Sequence, residues 1–143
     1  MREPAFENSF DAVINWFNSF GYYDIETNFD VLKRLCRALR SGGHLLIAPY
    51  RGDILANTRP KTAPNGREFV RQWDEISERM FISITGKEKE GSAPVVAAPR
   101  LYSQVQYRLL FRLAGLELIS VFNENISDFN ENSRRMIMVA QKP

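Results

Sequence analysis

At 143 residues the chain has the size of one domain able to bury a core. Hydrophobic residues supply 44% and charged residues 25%, and a formal net charge of +2 is too small to argue for nucleic acid or an anionic membrane as partner. One cysteine and one histidine exclude an intramolecular disulfide and leave too few ligands for a usual zinc set.

No apolar run approaches the length of a membrane span, and the polar start MREPAFEN does not resemble a signal peptide, so the expectation is a cytoplasmic protein with no membrane contact. The first element is FDAVINW, where Ala12, Val13 and Ile14 form a short continuous apolar run that suits a strand covered on both faces. A polar-aromatic loop containing Gly21 follows. Asp24 is placed as an N-cap, and Glu26 puts a carboxylate in the first helical turn. From there Leu32, Leu35, Cys36 and Leu39 fall at i, i+3, i+4 and i+7, which predicts a helix over 26–40 with one apolar stripe. Gly42 is expected to end it as a left-handed cap, and Gly43 to turn the chain into a strand over 44–50. Strand, helix, strand make a βαβ unit with a right-handed crossover.

The stretch RGDILANTRPKTAPNG is rich in turn formers and reads as a long loop, with a short helical turn at Ile54-Leu55. EFVRQWDEISERMFISITG then reads as two antiparallel strands, 67–74 and 77–85, with a turn at Thr85-Gly86 toward a third near Val95-Val96. Helical spacing of Phe69, Gln72, Trp73, Ile76 and Met80 leaves a helix over 68–80 as the alternative. The alternating charges Lys87-Glu88-Lys89-Glu90 suit a solvated turn or edge. Ser103 caps a helix over 104–114, whose stripe is expected from Val105, Leu109, Leu110 and Leu113 and which stops at Gly115. LELISVF and RMIMVAQK are the remaining strands, joined by a polar loop with Asp128 and Glu131.

Local chemistry identifies no reaction. The sequence has no GxSxG elbow, no Walker loop and no GxGxxG fingerprint, and Gly42-Gly43 ends a helix instead of opening one, so it is no phosphate cradle. Cys36 on an apolar helix face reads as core packing, His44 as structural or exposed, and Asp24 and Glu26 as capping groups.

Four segments in order carry more. FDAVINWFNSFGYYD, NFDVLKRLCRALRSGGHLLIAPY, RLYSQVQYRLLFRLAGLELISVF and RMIMVAQKP together resemble the C-terminal half of class I S-adenosylmethionine-dependent methyltransferases, with Ser41 standing where the family commonly has proline. The resemblance implies an α/β fold, the second half of a Rossmann-like sheet, with strands 10–16, 44–50, 134–141 and 116–123 in that spatial order. Strand 134–141 would be antiparallel and inserted between its neighbours, and residues 51–99 an insert forming an antiparallel β flap.

The same resemblance implies S-adenosylmethionine as cofactor, with Asn15, Trp16 and Phe17 following the fourth family strand on its cofactor side and Met1 and Arg2 near its adenine. Tyr22, Arg51, Arg100 and Tyr102 would face a small-molecule methyl acceptor, since ligands of open α/β sheets gather at the C-terminal strand ends. Arg51 and Arg100 could pair with an anionic acceptor, but an ordinary salt bridge is the preferred reading for each. The family's glycine-rich loop and ribose-binding acid have no counterpart in the sequence. The expectation is therefore a truncated or split half that needs the cofactor-binding half, or self-associates through strand 10–16. A non-catalytic oligomerisation or binding module, and an unrelated half-Rossmann domain, are the alternatives.

Overall fold

The computed structural model describes residues 6–51, 54, 61–62, 68–85 and 95–143. Met1, Arg2, the Gly86 turn, Lys87–Glu90 and most of the 51–66 loop, including Leu55 of the helical turn expected at Ile54-Leu55, lie outside the described residues.

The main sheet contains β1 (Phe10–Asn15), β2 (Leu39–Ile47), β7 (Glu117–Phe122) and β8 (Ile137–Gln141), in the order β1-β2-β8-β7. β1 and β2 are parallel, Ala12 through Asn15 opposite His44 through Ile47. β8 runs antiparallel to both β2 and β7 and lies between them, as the resemblance implies. Ile25–Ala38 form α1 and Gln104–Leu113 form α2.

α1 begins where expected. The Asp24 carboxylate accepts the Thr27 amide at 2.7 Å, and Glu26 lies in the first turn. Val31, Leu32, Leu35, Cys36 and Leu39 are all buried against Leu45, Ile47, Met138 and Ala140. Full burial of a leucine such as Leu32 contributes about 1.5–3 kcal/mol. The end of the helix differs from the expectation. α1 stops at Ala38, and Leu39 is already extended, with φ −75° and ψ 143°. Leu39 pairs with Phe10 of β1, whereas the next matched pair is Ala12 with His44, so Arg40–Gly43 bulge out of the ladder. Gly42, at φ +78°, serves that bulge and not the helix end. Pairing across the sheet, not a local cap, draws Leu39 out of the helix.

α2 opens on a full capping box between Ser103 and Gln106. It closes with Gly115 at φ +85°, where Leu116 N–H donates to the Phe111 carbonyl at 2.8 Å. The buried face is not the leucine stripe that spacing suggested. Tyr107 and Phe111 are fully buried, while Val105, Leu109 and Leu113 are 77%, 57% and 62% exposed. Phe20, Tyr102, Tyr107 and Phe111 form a run of ring contacts, with successive centroids 5.5–5.8 Å apart. These larger surfaces decide the rotation of the helix.

Residues of both helices share one core with the inward side chains of β2 and β8. The opposite sheet face carries the row Ile14, Leu46 and Val139, with Ile14 68% exposed. Among the described residues no helix covers that face.

The insert forms a second sheet in the order β3-β4-β5-β6, made of β3 (Lys61–Thr62), β4 (Glu68–Asp74), β5 (Arg79–Thr85) and β6 (Val95–Ala97), all antiparallel. This decides against the helical alternative for 68–80. Met80 and Leu101 are buried with Tyr50, Trp73 and Ile82 around them, a small core apart from the main one. Among the described residues no helix is long and apolar enough to cross a membrane.

Candidate functional site

A cleft of about 410 Å³ opens beyond the C-terminal end of β2, between the β4–β5 turn, the segment entering α2 and the β7–β8 loop. Its apolar lining is Leu101, Val105, Phe129 and Met136; its polar lining includes Arg51, Glu78, Tyr102, Ser103, Gln106 and Glu131.

Glu78 closes the β4–β5 turn. Asp74 folds that turn by accepting the Ile76 amide at 3.2 Å and the Ser77 hydroxyl at 2.6 Å. The chain leaves it through Glu78 at φ +52°, a left-handed conformation that costs a non-glycine residue about 1–2 kcal/mol. Two bonds hold the carboxylate in place. Oε2 accepts from Arg100 Nη1 at 2.8 Å and Oε1 from Gln106 Nε2 at 2.8 Å. Gln106 is thereby shared, since its Oε1 also accepts the Ser103 amide in the capping box.

Arg51 builds the opposite wall. Its Nη1 donates to the carbonyls of Glu131 at 2.6 Å, Asn130 at 3.3 Å and Ser133 at 3.4 Å, and the guanidinium lies 5.7 Å from the Phe129 ring centre. Tyr102 is buried at the floor, where its hydroxyl accepts from Asn28 Nδ2 at 3.0 Å. Burial pushes the Tyr102 phenol above its ordinary pKa, against the pull of the Asn28 bond.

A second feature lies at the end of β1. Asn15 is buried, Trp16 half-buried and Phe17 78% exposed, and the two aromatic rings meet edge-on at 6.3 Å. Phe17 and Asn18 both have positive φ, 54° and 59°, a kind of strain that gathers at functional sites. Asn18 Oδ1 accepts the Tyr50 amide at 3.1 Å, tying this turn to the end of β2. Of the two rings only that of Phe17 stands open to solvent.

The structure thus brings Arg51 and Tyr102 into one cleft, with Arg100 behind Glu78, 16% exposed. Tyr22 is half exposed and does not line the cleft. Arg100 makes the ordinary salt bridge preferred for it, to Glu78 at 2.8 Å, while Arg51 Nη1 donates to loop carbonyls. Glu78, Gln106 and Phe129 were not singled out from the sequence. For Glu78 the signal was present in the turn chemistry of Asp74 and Ser77. For Phe129 no local pattern marks it.

No family profile matches the sequence, and no curated protein matches it by sequence search. Solved structures do match by shape. The CcbJ methyltransferase of Streptomyces caelestis superposes with a TM-score of 0.78 at 15% identity, over 99% of this chain and 64% of its own. An S-adenosylmethionine-dependent methyltransferase of Clostridium acetobutylicum gives 0.76 at 13% identity, over 98% and 61%. CalS10, an amino pentose methyltransferase of Micromonospora echinaspora with S-adenosylmethionine bound, gives 0.58 at 18%, over 99% and 62%. The chain therefore spans less than two thirds of the length of these structures, and over that span it has the fold of S-adenosylmethionine-dependent methyltransferases.

Proposed function

We propose that the chain supplies the acceptor-facing half of an S-adenosylmethionine-dependent methyltransferase acting in the cytoplasm on a small molecule. The observation that carries this reading is the position of the cleft. It opens at the C-terminal end of the parallel strand β2, beside the strained turn after β1, on a sheet whose inserted antiparallel β8 follows the methyltransferase order.

When bound, S-adenosylmethionine supplies a methyl group already activated on a sulfonium sulfur. The chain's own task is then mainly to hold the acceptor's lone pair in line with that methyl and to keep water out, and positioning alone can supply much of the rate. Leu101, Phe129 and Met136 exclude water from the acceptor's carbon skeleton, while Glu78, Ser103 and Tyr102 orient its polar edge. Asn15, Trp16 and Phe17, with Met1 and Arg2 at the chain start, form the cofactor side. The remaining cofactor contacts come from a stretch of polypeptide, in the same or another chain, that pairs along the open edge of β1.

The test is a titration of S-adenosylhomocysteine into the ¹⁵N-labelled chain, followed by amide shifts. The expected result is weak binding that moves the amides of Asn15–Asn18. Absence of any shift there at saturating ligand would remove the cofactor reading. The second reading, a binding module without catalysis, is favoured by one observation, the uncovered apolar row Ile14, Leu46 and Val139.

A further inference from the structure

We propose that the outer face of α2 is an interface between two copies of this chain, filled by the β4–β5 turn of the second copy. The contact is independent of the methyl-transfer reading.

Each of the two surfaces departs from what its local structure asks for. An exposed turn favours glycine, asparagine, aspartate or serine. The β4–β5 turn instead carries Ile76 at its apex, a β-branched residue 97% exposed. Asp74 already folds the turn through Ser77 and the Ile76 amide, so the turn itself gives no reason for an isoleucine side chain. The outward side of a surface helix is ordinarily polar. On α2 it carries Val105, Leu109 and Leu113 at i, i+4 and i+8, each more than half exposed. That stripe runs about 12 Å along the helix, a length that the tip of one turn can cover.

Charge selects the occupant. α2 contains no carboxylate, and Arg108 and Arg112 lie one turn apart beside the stripe, both exposed. Glu75, next to Ile76, is exposed as well. Among the described residues none of these three charges has an ion-pair partner. Two α2 helices laid antiparallel about a two-fold axis would set their arginine rows on the same side, so α2 is a poor partner for itself. An isoleucine preceded by a carboxylate is the better complement. Arg112 neighbours Leu109 on the helix surface, so Ile76 seated on Leu109 and Leu113 brings Glu75 to Arg112.

Position makes the contact reciprocal. Glu78 Oε1 accepts from Gln106 Nε2 at 2.8 Å, and the Leu101 amide donates to the Glu78 carbonyl at 3.0 Å. These bonds hold the turn beside the start of α2 in the same molecule. A two-fold axis near this junction sets each turn on the other copy's helix, and the assembly closes as a dimer.

The experiment is sedimentation of the full chain over a concentration series, with Ile14→Lys present throughout to close the open sheet face. That chain is expected to pass from monomer to dimer as concentration rises. Ile76→Ser should weaken the dimer about tenfold, because the buried apolar anchor is lost. Glu75→Arg and Arg112→Glu each set like charges together and should also weaken it about tenfold. The two reversals in one chain restore opposite charges at both symmetric contacts, and the dimer should return to within about threefold of its starting strength. That recovery separates pairing from misfolding, since a second surface change does not mend a misfolded chain. A monomer at all concentrations, growth beyond the dimer, indifference to Ile76→Ser, or a double reversal no stronger than either single one would each overturn the proposal.

Discussion

Tyr107 shows how one aromatic residue can settle the placement of a helix at a cost in hydrogen bonding. The ring is fully buried, within 6 Å of the rings of Phe20, Tyr102 and Phe111, yet its hydroxyl has no hydrogen-bond partner among the described residues. Burial raises its pKa far above the ordinary phenol value. Tyr107→Phe removes the orphaned group and keeps the ring, so it is expected to stabilise the fold by about 1 kcal/mol. A urea titration should show a higher midpoint at unchanged slope; a lower midpoint would mean that the hydroxyl has a partner. The leucine spacing of α2 pointed elsewhere because periodicity weighs positions alike, whereas aromatic rings bury more surface each. At Glu78 the signal was partial: Asp74 and Ser77 mark a turn, but no glycine announces the left-handed position that Glu78 takes in it.

At the scale of elements, what is local was legible and what is paired across the fold was not. Asp24 and Ser103 were placed as caps because a cap involves only the next three residues. The end of α1 was misjudged because the partner that unwinds Leu39 is Phe10, far back in the chain. The β7–β8 loop is a further case, held by a residue that its own neighbourhood does not explain. Glu124 accepts the amides of Arg134 at 3.0 Å and Arg135 at 3.4 Å. Its own amide first, then these two, hold the carboxyl below its usual range. A depressed folded pKa stabilises the fold at pH above the ordinary value, near 4.5, and that contribution is lost as pH falls through the lower folded value. Glu124→Gln should therefore lower the thermal midpoint near neutrality and flatten the acid side of the profile, so that variant and wild type converge at low pH. An unchanged acid limb would show that the loop is held by other contacts.

For the whole molecule, the order of the sheet was readable from the sequence because four segments kept a known sequence of elements. The flap was readable as strands but not as a wall of the cleft. The sheet is covered by helices on one face, and on the other it presents Ile14, Leu46 and Val139 beside an open edge at β1. β1 contains neither proline nor lysine, two residues that discourage edge pairing. The chain is expected to associate, with itself or with a partner, through this edge and face. Ile14→Lys places a charge on the exposed row without touching the inner core. Sedimentation of the variant should show a smaller species than wild type at the same concentration. A wild-type chain that sediments as a monomer at all concentrations would contradict the association.

The two ends of the insert come to rest on the same short turn. Tyr50 N–H donates to Asn18 Oδ1 at 3.1 Å, and Arg100 N–H donates to the Gly21 carbonyl at 2.8 Å. Gly21 allows this approach, since a Cβ there would lie 2.1 Å from the Arg100 oxygen. The insert also has its own small core in Met80, Trp73 and Ile82. It therefore behaves as a cassette, plugged into the scaffold at one socket. Replacing 52–98 by a short glycine-serine linker should leave a chain that still unfolds cooperatively, because the main core stays whole. Loss of cooperative unfolding would show that scaffold and cassette fold as one unit. A socket of this kind would let one wall of the cleft be exchanged while the sheet stays as it is, so the shape of the cleft can diverge faster than the fold that carries it.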